Sequence, residues 1–428
     1  MMTQPKPLYA FYGDDFTGST DVLEALALHG VASVLFTRSP KQRELAAFAH
    51  CRAIGIAGES RSRDPRWMTR NLPTVFDRMR ALGAAVNHYK VCSTFDSAPR
   101  VGSIGRAMEL GRAAFDAEFV PVVVCAPRLG RSVVFGNLFA AEDGVVYRID
   151  RHPTMRQHQV TPMTEADLRL HLARQTRMRM GLVDLTAFQA NRAAERLQAE
   201  LAAGAEAVIF DGLDDAMLDE SARLVWERAS KRPVFAVGSS GLTYGLLRHW
   251  RHLGLIGAPP QMSRPGGVDR LLVLSGSCSP VTKKQILCAK RQGFAVQHLE
   301  GPEPWGAQTR KALEALARGQ SAVLYTALGP QAKDKEHGEA FAAALGNRLR
   351  ELLLVSGVRR IVVAGGDTST HAVKQLGLDA LTFAAPLAPG APLCRGYAPG
   401  SPLDGLELVL KGGQMGPEEF FAQTRDGG

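Results

Sequence analysis

Two adjacent carboxylates, Asp14 and Asp15, open the segment Asp14-Asp15-Phe16-Thr17-Gly18-Ser19-Thr20, directly after the apolar run Ala10-Phe-Tyr-Gly13. Carboxylates beside hydroxyls are suited to orienting a polyol, holding a metal or taking a proton. One Asp before a helix is explained by N-capping alone, worth about 1 kcal/mol; two followed by Thr-Gly-Ser exceed that need. A second polar cluster, Lys90-Val-Cys-Ser-Thr-Phe-Asp-Ser97, also follows a strand-like run and precedes Gly102-Ser-Ile-Gly105. Lys90 is placed to meet a carboxylate or phosphate, and the helix start beyond it favours anions. Its alternative is an ordinary solvated lysine. Cys92 has no histidine at motif spacing and reads as a small, half-buried thiol. Arg131, in Pro127-Arg-Leu-Gly-Arg131, is the type of residue that grips a carboxylate bidentately, or else a plain surface arginine.

Three glycine clusters follow later strands: Leu274-Ser-Gly-Ser-Cys-Ser-Pro280, Ala364-Gly-Gly-Asp-Thr-Ser369 and Lys411-Gly-Gly-Gln-Met-Gly416. Small residues, free N–H groups and hydroxyls at a helix start cradle phosphates. One such loop is common in any α/β protein; three in one region point to a nucleotide. Neither a GxxxxGK[ST] loop nor a GxGxxG fingerprint is present. His152 and His158 lie six apart, which is not metal-ligand spacing, and no metal ligands are assigned. Thr164, three residues before Asp167, resembles a capping box.

The elements that must carry these residues alternate. Strand-like runs at Leu8–Tyr12, Ala53–Ala57, His88–Cys92, Pro121–Cys125, Ala207–Phe210 and Val234–Val237 are separated by amphipathic stretches such as Ser19–His29, Ile104–Phe115 and Glu165–Thr176. After a Pro- and Gly-rich break the rhythm resumes, with strands at Leu271–Leu274, Val323–Tyr325 and Ile361–Ala364 and a long helix over 336–356. This rhythm predicts two α/β domains with largely parallel sheets, 1–255 and 268–428, joined by a linker over 256–267, with a ligand cleft between them.

Composition narrows the class. The chain has 428 residues, 22% charged, and a formal net charge of +9. Residues 1–260 carry 32 Lys and Arg against 27 Asp and Glu, and 261–428 carry 19 against 15. An excess spread this evenly predicts no nucleic-acid partner, because polyanion binding needs basic residues gathered on one face. No apolar run approaches a membrane span, and the N-terminus lacks the pattern of a signal peptide. The six cysteines show no CxxC pair and read as reduced thiols. A cytoplasmic protein without a membrane partner is expected, and a homo-oligomer is compatible with it.

Taken in order, Asp14-Asp15-Phe-Thr-Gly18, Lys90-x-Cys-Ser-Thr-Phe-Asp-Ser97, Pro127-x-x-Gly-Arg131, His152-Pro with Thr161-Pro-Met163, Gly238-Ser-Ser-Gly241, Leu274-Ser-Gly-Ser-Cys-Ser279, Gly365-Gly-Asp-Thr368, Pro389-Gly-Ala-Pro392 and Lys411-Gly-Gly-Gln-Met-Gly416 resemble the four-carbon acid sugar kinase family along nearly the whole chain. The resemblance implies an N-terminal domain that binds a small acid sugar and a C-terminal domain that binds ATP, with Mg2+ offsetting phosphate charge. It implies Asp14 and Asp15 as catalytic residues, one of them the general base, and Thr17, Lys90, Ser93 and Arg131 at the sugar acid. Ser275, Ser277, Ser279, Gly365, Gly366, Asp367, Thr368 and Gly413 fall to the nucleotide. The Cys-Ser-Thr-Phe-Asp-Ser form is similar to the 3-oxo-tetronate branch, whereas the Phe-Tyr-Gly-Asp-Asp opening looks like kinases of the branched acid 3-oxo-isoapionate. Rival classes are a non-catalytic sugar-acid sensor, which the intact glycine loops disfavour, and a dehydrogenase, which the missing GxGxxG disfavours.

Overall fold

The computed structural model describes residues 6–142, 144–158, 160–300, 305–329 and 339–428, without the side chains of Glu339 and Asp367. Two compact units are present. One comprises residues 1–14, 29–32 and 48–259; the other comprises 15–28, 33–47 and 260–428. The division is therefore not a single cut in the sequence: two short pieces of the N-terminal region pack with the C-terminal one.

The first unit is built on seven parallel strands, in the order Ala53–Ala57, Tyr9–Gly13, Val86–Lys90, Val234–Gly238, Val120–Val123, Ala207–Phe210 and Met180–Val183. All but Met180–Val183 are buried along their entire length, the pattern of a parallel sheet covered on both faces. The chain leaves the adjacent strands Tyr9–Gly13, Val86–Lys90 and Val234–Gly238 at one carboxyl edge, where α/β folds bind ligands. This edge carries Asp14, the 90–97 segment and the turn at Ser239. Ser103 caps the helix Ile104–Ala114 by accepting from Arg106 N. The expected helix over 165–176 shortens to Leu168–Ala173, and its cap is Asp167, which accepts from Arg169 N. The Thr164 capping box does not form, because the helix begins after Asp167 rather than before it.

An antiparallel sheet of Arg131–Val134, Asn137–Glu142 and Val145–Arg148 was not expected from the α/β rhythm. Its first turn places Phe135 at φ 50°, and the buried Asp211 carboxylate accepts from both Phe135 N (2.6 Å) and Gly136 N (2.8 Å).

In the second unit, Ala295–His298, Ala322–Tyr325, Leu272–Ser275, Arg360–Ala364 and Glu407–Lys411 run parallel in that order. Ala391–Tyr397, Ala380–Ala388 and Ser33–Phe36 extend the sheet antiparallel. The hairpin of Ala380–Ala388 and Ala391–Tyr397 was likewise missed; it turns at Pro389 and Gly390, the glycine at φ 75°. The long helix is described from Glu339 to Ser356; the start expected at 336 lies outside the described residues. Among the described residues no helix is long and apolar enough to cross a membrane.

Candidate active site

Strand order brings the three glycine loops together. Leu272–Ser275, Arg360–Ala364 and Glu407–Lys411 are neighbours, so the loops after them emerge side by side. Gly276 N donates to Ala364 O (3.0 Å) and Gly365 N to Lys411 O (2.9 Å), which ties each loop to the next strand. Within the first loop, Ser277 N donates to Ser275 Oγ, Ser279 N to Ser277 Oγ and Val281 N to Ser279 Oγ. Ser279 thereby caps the helix Pro280–Arg291. Gly365 sits at φ 113°, a conformation that side chains oppose.

The crowding requires glycine. A Cβ on Gly276 would collide with Thr368 Oγ1, and one on Gly413 would lie 2.9 Å from Ser277 Oγ. The loops thus meet closely around Ser277, Ser279, Thr368 and Gly413, and small residues, hydroxyls and N–H groups of this kind suit phosphate oxygens. The side chain of Asp367 lies outside the described residues.

Asp15 and Thr17 belong to this same unit. Thr17 Oγ1 donates to Asp15 Oδ2 (2.9 Å), and Gly18 N donates to Asp15 Oδ1 (2.6 Å). Asp15 thus caps the helix Phe16–Leu28. Its carboxylate also flanks the 365–368 loop: a Cβ on Gly366 would lie 3.6 Å from Asp15 Oδ2 and 4.0 Å from Thr17 Oγ1. Phe16 N donates to Thr370 Oγ1 at 3.5 Å, which fastens the helix start beside the 365–368 loop. One carboxylate thus caps the helix and also lies beside Gly366.

Asp14 falls in the first unit. Its N–H donates to Lys90 O (2.9 Å), and its carbonyl accepts from Arg61 N (3.1 Å). Asp14, Lys90 and Ser93 are all buried. Behind Ser93, Thr94 Oγ1 donates to Asp96 Oδ1 at 2.5 Å. Phe95 takes a left-handed conformation, φ 54°, so that the segment folds back on itself.

Asp96 is the charged centre of that fold-back. Arg61 Nη2 donates to both of its oxygens, at 2.8 and 3.0 Å, and Thr161 Oγ1 donates to Oδ2 at 3.2 Å. Burial alone would raise the Asp96 carboxyl, but Arg61, His158 and the Thr94 hydroxyl hold it far below the usual carboxylate range. Arg61, Asp96 and Thr161 form a hydrogen-bonded cluster at the 90–97 segment that was not assigned from the sequence. Asp96 and Thr161 stood within the quoted motifs; Arg61 carried no signal of its own.

Arg131 is committed differently from a free clamp. Its Nη1 donates to the carbonyls of Leu129 (2.5 Å) and Ala141 (3.1 Å), holding the antiparallel sheet together. Burial lowers its pKa, with Cys92 and Glu142 acting against that, which sets it beside the 90–97 segment. Its buried Nε has no hydrogen-bond partner among the described residues. Among those residues no group of three or more His, Cys, Asp or Glu is placed to hold a metal ion.

Comparison with known proteins accords with this geometry. Residues 9–246 match the family description "Sugar-binding N-terminal domain", and residues 272–421 match "Nucleotide-binding C-terminal domain". The chain belongs to the four-carbon acid sugar kinase family. It is 44% identical to the 3-oxo-isoapionate kinase of Paraburkholderia graminis, across 98% of this chain and 94% of that one. It is 32% identical to the 3-oxo-tetronate kinase of Methylobacterium radiotolerans (96% and 97% covered) and 30% identical to that of Cupriavidus necator (98% and 96%). A solved Salmonella typhimurium protein shares the fold at TM-score 0.77 and 24% identity, covering 97% of this chain and 98% of that one. A Haemophilus influenzae protein does so at 0.71 and 23%, covering 97% and 99%.

Proposed function

We propose that this family member is an ATP-dependent kinase of a 3-oxo acid sugar, and that its substrate is the branched acid 3-oxo-isoapionate. The observation that carries the kinase assignment is the Asp15 carboxylate beside Gly366, on the unit whose glycine loops form a phosphate-type cradle. The choice of substrate rests on the 44% identity to a 3-oxo-isoapionate kinase, well above the 30–32% to two 3-oxo-tetronate kinases. A 3-oxo-tetronate is the second reading, favoured by the Cys92-Ser-Thr-Phe-Asp-Ser97 motif.

ATP supplies the γ-phosphoryl group, which passes to a terminal substrate hydroxyl as the bond to ADP breaks; Mg2+, brought with the nucleotide, would offset phosphate charge. Asp15 accepts the proton leaving that hydroxyl. Asp14 orients the neighbouring hydroxyls, while Lys90 and Ser93 hold the carboxylate end; Arg131, its Nη1 held by Leu129 and Ala141, contributes positive charge there rather than a clamp. Ser275, Ser277, Ser279, Gly365, Gly366, Asp367, Thr368 and Gly413 hold the nucleotide. Phosphoryl transfer asks mainly for positioning and electrostatics, and rigid backbone donors supply both. Coupled ADP release over 3-oxo-isoapionate, 3-oxo-tetronates and tetronates tests the assignment. The highest kcat/KM is expected with 3-oxo-isoapionate; release with none of the panel would refute the function.

A further inference from the structure

Lys411 ends the strand Glu407–Lys411 and is fully buried. Its Nζ donates to Thr282 Oγ1 (3.1 Å) and to the carbonyls of Gly412 (3.0 Å) and Gly413 (3.4 Å). Thr282 Oγ1 donates in turn to Gly413 O at 2.9 Å. One turn along the same helix, Gln285 Nε2 collects the carbonyls of Met415, Gly416 and Pro417 at 2.9 to 3.0 Å. Five carbonyls of the 412–417 loop are thus drawn to two buried side chains.

These hydrogen-bond partners of Lys411 are all neutral oxygens, so burial lowers the ammonium from its ordinary 10.5 to about 7. A buried cation without a counter-ion costs stability, and an apolar side chain of the same length would avoid that cost. Its position suggests what offsets the cost. A trans peptide holds its C=O and N–H on opposite sides. Carbonyls of Gly412 and Gly413 pulled toward the ammonium therefore aim the N–H groups of Gly413 and Gln414 away from it. Gly413 itself packs on Ser277 and Ser279 of the neighbouring loop.

We propose that Lys411 is a positioning residue for the nucleotide: its buried ammonium, bridged by Thr282, fixes the 412–413 turn against Ser277 and Ser279 and adds positive charge beneath the bound phosphates. This rests on the assignment of the cradle to the nucleotide. Because the turn grips ground state and transition state alike, loss of the anchor raises KM rather than lowering kcat.

The test uses the full chain carrying Lys411→Met, which keeps the apolar stem, with Thr282→Val as an independent cut of the same bridge and Gly413→Ala as a control on the cradle. Lys411→Met is expected to raise the ADP dissociation constant and the KM for ATP at least tenfold, with kcat within about twofold and the acid-sugar KM unchanged. A folded Lys411→Met protein with wild-type ADP affinity, alongside a weakened Gly413→Ala, overturns the role of the lysine alone. Wild-type ADP affinity in both overturns the cradle assignment beneath it. Should Lys411→Met fail to fold, Thr282→Val decides by the same two readouts, and unchanged ADP affinity there overturns the proposal.

Discussion

The carboxylate of Asp15 and the backbone of Gly366 face each other so closely that a single Cβ on the glycine would stand 3.6 Å from Asp15 Oδ2. They are 351 positions apart in sequence, yet both belong to the unit that holds the glycine loops. Asp14, one peptide bond away, belongs to the other unit and packs on Lys90 and Arg61. Two adjacent, chemically identical residues are thereby given separate surroundings.

That separation predicts a split between two conservative variants. Asp15→Asn keeps a capping side chain, so the protein folds and ADP binds as before, while kcat falls about 10²–10⁴-fold with loss of the base. Asp14→Asn raises the acid-sugar KM and leaves ADP affinity unchanged. Calorimetric ADP binding beside steady-state kinetics distinguishes them; loss of ADP binding in Asp15→Asn would contradict its role.

Gly276→Ala inserts a methyl group into the space of Thr368 Oγ1. Overpacking of this kind costs about 1–3 kcal/mol. A lowered denaturation midpoint together with weaker ADP binding is expected, and a Gly276→Ala, Thr368→Ser double variant should recover little, because the colliding atom is the hydroxyl oxygen that Ser retains.

Arg61→Met would leave Asp96 as a buried carboxylate without its guanidinium. Breaking a buried pair from one side costs about 3–5 kcal/mol, and chemical denaturation at pH 7 measures it. The sign with pH follows from the depressed Asp96 pKa. Its contribution is present above the unfolded-state pKa of about 3.9 and is lost as pH falls below that. In Arg61→Met the contribution at neutral pH is missing, so the difference between the two proteins narrows on acidification.

Lys411 has the same sign of dependence in a higher pH window. Its ammonium is lowered to about 7 in the folded protein against an ordinary 10.5, so the unfolded chain binds more protons between those values. Stability therefore rises with pH from about 7 to 10.5, by at most about 1.4 kcal/mol per pH unit from this group. Lys411→Met should lack that slope, and urea titrations at pH 7, 8 and 9 compare the two.

Much of this protein is written in local pattern. Buried β-rich runs such as Ala53–Ala57 and Val120–Val123 and capped helices such as Ile104–Ala114 follow from side-chain period and capping chemistry, which act over a few residues. The glycine loops are equally local, since a positive φ at Gly365 or a tight approach at Gly413 excludes other residues at that position. From these the sequence alone determined two α/β regions, the phosphate-type loops and the family. Pairing between distant segments has no such local trace. Nothing near Arg61 announces Asp96, and nothing near Pro389 and Gly390 announces the strands on either side of them. A lysine at a strand end looks solvated until the strand is buried among its neighbours, and which of two adjacent aspartates faces Gly366 depends on where the helix Phe16–Leu28 packs. The tertiary structure decided these because burial and long-range contact, rather than residue type, set the charge environment of Asp96 and Lys411 and the separate surroundings of Asp14 and Asp15.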